Sequence, residues 1–321
     1  TDHFGNPLLE QRKLLAGEAF VQRSDQGVIE IVGSDAKSWL HSLLSQNILN
    51  LESGMSTEAL LLTPQGHVEQ QLKIIATDQG VLVIVAASKL EAMLAWLTKM
   101  IFRSKVDVSK RKDLVCIGGF FDFDEPFWVD GFSLESKFSV RYAESREEFA
   151  YREYLTDSVP TDLAPAGLLA YQALRIAVGR PEIDDIDIRS LPHEFDWLSS
   201  AVHMSKGCYR GQEAVAKVHN LGHPPRRLII LHLEQGDSLA AKDDKVFYQD
   251  KEVGTIRAGA LHYEEGSIAL ALVNRNTPYL DLSIEIGSQR ILATQQVLVP
   301  HDAGKAANLP RPAAFKLTGK K

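Results

Sequence analysis

Apolar and polar positions divide the chain into two stretches of different character. Up to Pro224-Pro225, strand-like runs are interleaved with segments of helical period; beyond it only strand-like runs occur. Gly27 to Gly33 reads as a short strand. Ser34 to Leu44 then places Ala36, Trp39, Leu40, Leu43 and Leu44 at helical spacing, with Ser34 expected as the N-cap. Two apolar-rich runs, Glu58 to Thr63 and His67 to Ala76, flank Thr63-Pro64-Gln65-Gly66, whose Pro and Gly suit a tight turn, and they are predicted to pair as a hairpin. Val81 to Ala86 is a continuous strand-forming run. Ser88 and Glu91 are expected to form a capping box opening a helix that carries Leu90, Leu94, Leu97 and Ile101 on one face. Short strands are predicted between Lys105 and Arg141, broken by an aromatic and acidic stretch from Phe120 to Trp128 that suits a core or interface better than a ligand cage. Ser145 to Leu155 and Ala166 to Val178 are predicted helices, the second stopped by Gly179 and Pro181.

Strands and helices mixed without regular βαβ alternation indicate an α+β fold, and no Gly-rich phosphate loop follows any strand. After the Pro pair, Arg227 to Glu234, Lys245 to Tyr248, Val253 to Arg257, Ser267 to Val273, Asp281 to Ile286 and Arg290 to Val299 suggest a small all-β barrel or sandwich. This gives a first part over residues 1–225, a β part over 226–300 and a basic tail over 301–321. The tail carries Lys305, Arg311, Lys316, Lys320 and Lys321 against Asp302 and is expected to be mobile or laid over an acidic surface.

Composition narrows the function. The 321 residues, 45% hydrophobic and 24% charged, suffice for more than one core, and the net charge of -7 argues against a large phosphate-tracking surface. No direct nucleic-acid partner is expected. No run of about 18 apolar residues occurs and the first residues lack a signal-peptide pattern, so neither a membrane nor secretion is expected and the predicted location is cytoplasmic. With two cysteines, Cys116 and Cys208, a disulfide framework and a cysteine-built zinc site are excluded. Asp184, Asp185 and Asp187 lack a calcium-loop pattern, and His193, His203, His219 and His223 fall at irregular separations, so no metal is assigned.

The densest chemistry is Lys206-Gly207-Cys208-Tyr209-Arg210-Gly211-Gln212-Glu213. The two glycines allow a sharp turn, and Gln212 to Val218 has helical composition, placing Cys208 just before a helix N-terminus. There, beside Lys206 and Arg210, a thiol is expected to be activated as a nucleophile or redox group. The opposing reading, a buried cysteine acting as a small hydrophobe, carries comparable weight at Cys208 and is the expectation for Cys116. His203 is a candidate partner for the thiol, and Lys206 a point charge for a carboxylate tail or a thiolate.

This octapeptide resembles the signature of the YgfZ family of tetrahydrofolate-binding, tRNA-modification and iron–sulfur-cluster-related proteins, relatives of the glycine-cleavage T-protein aminomethyltransferase. Supporting matches are Ile31 to Ala36 with Trp39-Leu40, Leu61 to Val68, Leu174-Arg175-Ile176 with Gly179-Arg180-Pro181, and Val253-Gly254-Thr255 through Ile268 to Ala271. The resemblance covers about residues 25–300. It implies an α+β core of two interleaved ferredoxin-like subdomains, one mainly about residues 50–150, around a central hole that binds folate, plus a C-terminal β-barrel. It further implies Cys208 and Lys206 as the reactive pair, with Gly207, Tyr209, Arg210, Gly211, Gln212 and Glu213 as the surrounding loop. Arg175, Gln70 and Gln71 are implied as cofactor-binding positions, and iron–sulfur enzymes or their assembly factors as partners. Two departures accompany it. Gln70 and Gln71 stand where the T-protein has carboxylates, and an amide cannot serve as a general base. Ala177 stands where the family has a pterin-reading acid, for which Glu182, Asp184, Asp185 or Glu194 are candidate replacements. The implied function is a folate-binding accessory factor for iron–sulfur enzymes. The rivals are a tetrahydrofolate-dependent aminomethyltransferase or demethylase and a pure binding protein with a structural Cys208.

Overall fold

The computed structural model describes residues 1–134, 136–234 and 238–307, so Arg311, Lys316, Lys320 and Lys321 of the basic tail lie outside the described residues. One five-stranded sheet runs in the order β3 (Ser56–Leu62), β4 (Val68–Ala76), β5 (Gly80–Ala86), β2 (Gln26–Val32), β6 (Asp107–Arg111). Every residue of β5 is buried because the strand serves two cores. Val81, Val83 and Val85 pack against α2 (Ala36–Leu43) and α3 (Leu90–Lys99), while Leu82 and Ile84 turn toward the second sheet. Burial on both faces explains a continuous apolar run in place of alternation.

The second sheet runs β10 (Ala164–Ala166), β1 (Ala19–Gln22), β7 (Val115–Gly119), β9 (Arg152–Thr156), β8 (Phe127–Val129), with α1 (Pro7–Leu15) and α4 (Leu168–Ala177) packed against each other beside it. Phe121, Phe123, Phe127 and Tyr154 form a small aromatic core on its far side, as the aromatic stretch suggested. A closed barrel completes the fold: β11 (Arg226–Leu233), β14 (Gly266–Asn274), β13 (Lys251–His262), β12 (Lys245–Tyr248), β15 (Leu282–Ile286), β16 (Gln289–Val297). Along β11, Ile229 and Leu231 fill the barrel, whereas Leu228 and Ile230 join the main core with Phe195, Trp197 and Leu198. The barrel therefore docks through one outward face. Among the described residues, no helix is long and apolar enough to cross a membrane.

Three local expectations fail. No helix forms over Ser145–Leu155: Arg152–Thr156 is a strand hydrogen-bonded to β7 and β8, with Tyr151 and Leu155 in one core and Tyr154 in another. A short window buried on both sides has no diagnostic period, and strand pairing decides it. Ser34 does not cap α2; Asp35 holds that place, and its carboxylate accepts the Lys105 amide instead. The helix after Ser88 is entered through a 3₁₀ turn over Ala87–Lys89, and Glu91 is drawn to Lys110 at 2.6 Å rather than to the backbone.

Candidate functional site

Three parts converge on the loop between residues 206 and 211. The Lys206 ammonium reaches the end of α2, where it donates to the carbonyls of Leu44 (2.6 Å), Gln46 (3.1 Å) and His41. A cation there meets orphan carbonyls and the negative end of the helix dipole. Burial pushes its pKa down to about 8. Tyr209 is buried in the main core, its ring centroid 5.1 Å from Lys206 Nζ. Gly211 has φ +86°, and a Cβ there would lie 2.5 Å from the Thr63 carbonyl oxygen, so this position requires glycine on both conformational and steric grounds. Gly66, on the facing turn of the β3–β4 hairpin, leaves only 3.0 Å between an added Cβ and Ala214. Helix α5 (Gln212–Leu221) starts directly after Gly211, and Gln212 Nε2 donates back to the Lys206 carbonyl at 3.2 Å.

On this anchored loop Cys208 is exposed. The cations expected beside it are engaged elsewhere, Lys206 on its carbonyls and Arg210 on Glu69 at 2.9 Å. His203 stacks on Phe138 with ring centroids 4.7 Å apart. Gly207 has open space around its Cα, and Glu213 stands exposed in the first turn of α5. Cys116 is buried near Glu153, and burial with that carboxylate pushes its thiol well above the usual range.

A cavity of about 300 Å³ lies nearby, with Gln46, Glu58, Phe138, Ser200 and His203 among its walls; Cys208 is not one of them. Glu58, on β3, is the carboxylate in this wall. Its Oε1 accepts from Arg180 at 2.8 Å and Gln71 at 2.6 Å, and its Oε2 from Ser200 at 2.8 Å. Arg180 also holds the buried Asp130 at 2.8 Å. Gln71 has a positive reason to be an amide: it donates to Glu58 and accepts from the Ile183 amide at 2.9 Å. A carboxylate in its place would face another.

Gln70 and Gln71 part company: Gln71 is buried against Glu58, whereas Gln70 lines a different cavity of about 530 Å³ together with Glu69, Lys89 and Asp184. Arg175 is buried and bidentate on Asp185, at 2.7 and 3.1 Å, and also donates to the Arg180 carbonyl at 3.0 Å. Ala177 packs against the main core. Of the four replacement acids, Asp185 is held by Arg175 and Glu194 by Arg226. Burial pushes Glu182 up, but Arg23, Lys73 and Arg175 together hold it well below the usual carboxylate range. Among the described residues Asp184 has no side-chain ion pair, and burial with Glu182 and Asp185 raises it. Sequence reasoning missed Glu58, Asp130 and Ser200 as a connected set around Arg180. Among the described residues no group of three or more His, Cys, Asp or Glu side chains is arranged to hold a metal ion.

No family model matches the chain. It is 31% identical over 118 residues to an aminomethyltransferase of Chromobacterium violaceum, a match covering 36% of this chain and 32% of that protein. The chain thus spans about a third of that relative's length. It is 26% identical to a mitochondrial iron–sulfur cluster assembly factor homolog of Aspergillus clavatus, over 74% of this chain and 63% of that one. It is 23% identical to the tRNA-modifying protein YgfZ of Vibrio atlanticus, over 68% and 71%. Among solved structures, the glycine cleavage system aminomethyltransferase T of Bartonella henselae matches with a TM-score of 0.73 and 15% identity, covering 94% of this chain and 90% of that one. The fold is thus the α+β fold of that aminomethyltransferase with a six-stranded C-terminal barrel. At these identities the chain is a distant relative of aminomethyltransferases and of iron–sulfur and tRNA-modification factors alike.

Proposed function

We propose that this chain is a folate-binding accessory protein for the assembly or repair of iron–sulfur enzymes, including those that modify tRNA, acting through Cys208. The observation that carries this reading is an exposed thiol on a loop held from both sides, by Lys206 on the end of α2 and by Gly211 against the hairpin turn. Such a thiol is fixed in place yet open to a protein surface, which suits exchange with a partner better than chemistry in a closed cavity. Cys208 is then the working group, and Lys206, Tyr209, Arg210, Gly211 and Gln212 position it.

The residues around the 300 Å³ cavity fit the head of a folate in kind. Two of the carboxylate's lone-pair sites on Glu58 Oε1 and one on Oε2 are filled, leaving one acceptor for a pterin N–H, and the stacked Phe138 and His203 offer ring faces. Bound tetrahydrofolate would supply a one-carbon carrier. The volume lies at the lower end of the roughly 300–1,000 Å³ of small-molecule sites, enough for a bicyclic head with the tail outside.

A second reading, a tetrahydrofolate-dependent aminomethyltransferase or demethylase, rests on Glu58 as the acid in that wall. Arg180, Gln71 and Ser200 already donate to this carboxylate, so a substrate would have to compete with three donors for it. Formation of methylene-tetrahydrofolate from N-methyl or aminomethyl substrates would favour that reading. The accessory role is tested in cells whose own copy carries Cys208→Ala: iron–sulfur enzyme activity and thiolated tRNA should fall, and unchanged levels of both would contradict it.

A further inference from the structure

The chain just after α2 is laced to the segment that leads into Cys208. Ser45 is 0% exposed and uses every polar group it has. Its amide donates to the Leu60 carbonyl at 3.1 Å, and its carbonyl accepts from the His203 amide at 3.0 Å. Its hydroxyl donates to the Ala201 carbonyl at 2.6 Å and accepts from the Leu60 amide at 2.8 Å. Next to it, Gln46 Nε2 donates to the Ser200 carbonyl at 2.9 Å, and the Gln46 carbonyl is one of the acceptors that hold Lys206. From a third segment, the Phe138 carbonyl accepts the Met204 amide at 3.0 Å and the Phe138 ring stacks on His203. Residues 200–206 therefore form an arm, tied to β3 and the end of α2 through Ser45 and Gln46, and to the coil at Phe138.

The walls of the 300 Å³ cavity come from these same segments: Glu58 from β3, Ser200 and His203 from the arm, Gln46 and Phe138 from its two ties. Side chains bordering a cavity lack packing partners on that side, so a group that fills it adds contacts to all of these segments at once. The other anchor of the Cys208 loop is of a different kind. Gly211 packs against Thr63 and Gly66 of the hairpin turn, and neither lines this cavity.

We propose that occupancy of this cavity sets how firmly the arm before Cys208 is held, with Ser45 as the positioning residue that carries the effect. Ser45 does not line the cavity and acts through the arm. The inference rests on the folate reading and adds a regulation to it: the thiol is presented in a fixed place when the carrier is bound and on a looser arm when it is not. A partner that needs a fixed thiol then distinguishes loaded from unloaded protein, which is a coupling between two sites.

Hydrogen exchange by mass spectrometry on the full chain, with and without saturating tetrahydrofolate, tests this, with titration calorimetry on the same samples to measure binding. Amides of residues 201–209 should exchange about fivefold or more slowly in the bound protein, whereas those of α5 and β16 should change by less than about twofold. Ser45→Ala removes the hydroxyl links to Ala201 and Leu60; it should keep tetrahydrofolate affinity within about threefold and cut the slowing over 201–209 to below about twofold. A purely structural role for Ser45 would speed exchange equally with and without ligand and leave their ratio unchanged, which overturns its assignment. Binding by the wild type without slowing over 201–209, or slowing shared equally by α5 and β16, overturns the coupling while the folate reading stands, and this comparison needs no variant. Absence of binding by the wild type overturns the folate reading and the coupling with it.

Discussion

Replacing Arg180 by Met isolates the energetics of the buried network behind the candidate cavity. Arg180 donates to Glu58 at 2.8 Å, to Asp130 at 2.8 Å and to the Pro181 carbonyl at 3.2 Å, and all three side chains are about 1% exposed. Removing one partner of a buried ion pair costs about 3–5 kcal/mol, because the remaining charge stays desolvated. Here two carboxylates lose their cation. Glu58 keeps Gln71 and Ser200, while among the described residues Asp130 keeps only the Phe132 amide at 2.9 Å, so most of the penalty falls on Asp130. Protonation limits the loss, since neutralising a carboxyl of ordinary pKa at pH 7 costs about 4 kcal/mol. The expected destabilisation is about 4–6 kcal/mol at pH 7.5. Burial already raises Asp130 in the native chain and Arg180 opposes that rise, so in the variant Asp130 rises further, the folded state binds more protons, and the deficit shrinks as pH falls toward 5. Urea unfolding followed by tryptophan fluorescence at both pH values measures this, with Trp128 beside the network. A loss below about 1 kcal/mol at pH 7.5, or a deficit that grows on acidification, would refute the reasoning.

Further outcomes follow from the same geometry. Gln71→Glu places a second carboxylate against Glu58 and should destabilise by about 2 kcal/mol or more, whereas Gln70→Glu on the opposite face should stay within about 0.5 kcal/mol; equal effects in chemical denaturation would contradict the assignment of faces. In the native chain iodoacetamide should label Cys208 and leave Cys116 unmodified, as read by mass spectrometry of the peptides; labelling of Cys116 first would contradict their burial. His193 is buried with Nε2 on the Val215 carbonyl, and burial lowers its pKa from 6.5 to about 4. The unfolded chain therefore binds more protons between those values, and stability should fall by about 3 kcal/mol as pH drops from 6.5 to 4. His193→Gln should flatten that slope in melts recorded across the window, and an unchanged slope would place the acid sensitivity elsewhere.

What the sequence made legible depended on how local the cause is. The β3–β4 hairpin was readable because Pro64 and Gly66 mark the turn between two apolar runs. The barrel strands were readable because short strand-like runs recur after the Pro pair and no helical period appears among them. Residues 145–155 were not, because Tyr151, Tyr154 and Leu155 are buried on two sides and only pairing with β7 settles the conformation. The special residues of the octapeptide were visible, but not their supports: Lys206 finds its acceptors some 160 positions earlier in the chain. The polar network was hidden for the same reason, since Glu58 meets Arg180 across 122 positions and Ser200 across 142. One signal was available and not used: Gln70 and Gln71 are adjacent on a predicted strand, so alternation alone separates them.

The account rests most heavily on folate reaching the Glu58 cavity, and isothermal titration with tetrahydrofolate tests this on the wild type, Glu58→Gln and Cys208→Ala. Saturable binding by the wild type is expected. Glu58→Gln, folded by circular dichroism, should weaken it about tenfold or more through loss of a charge-assisted hydrogen bond, and Cys208→Ala should bind as the wild type does. Absence of binding by the wild type, or equal affinity in Glu58→Gln, would contradict the account.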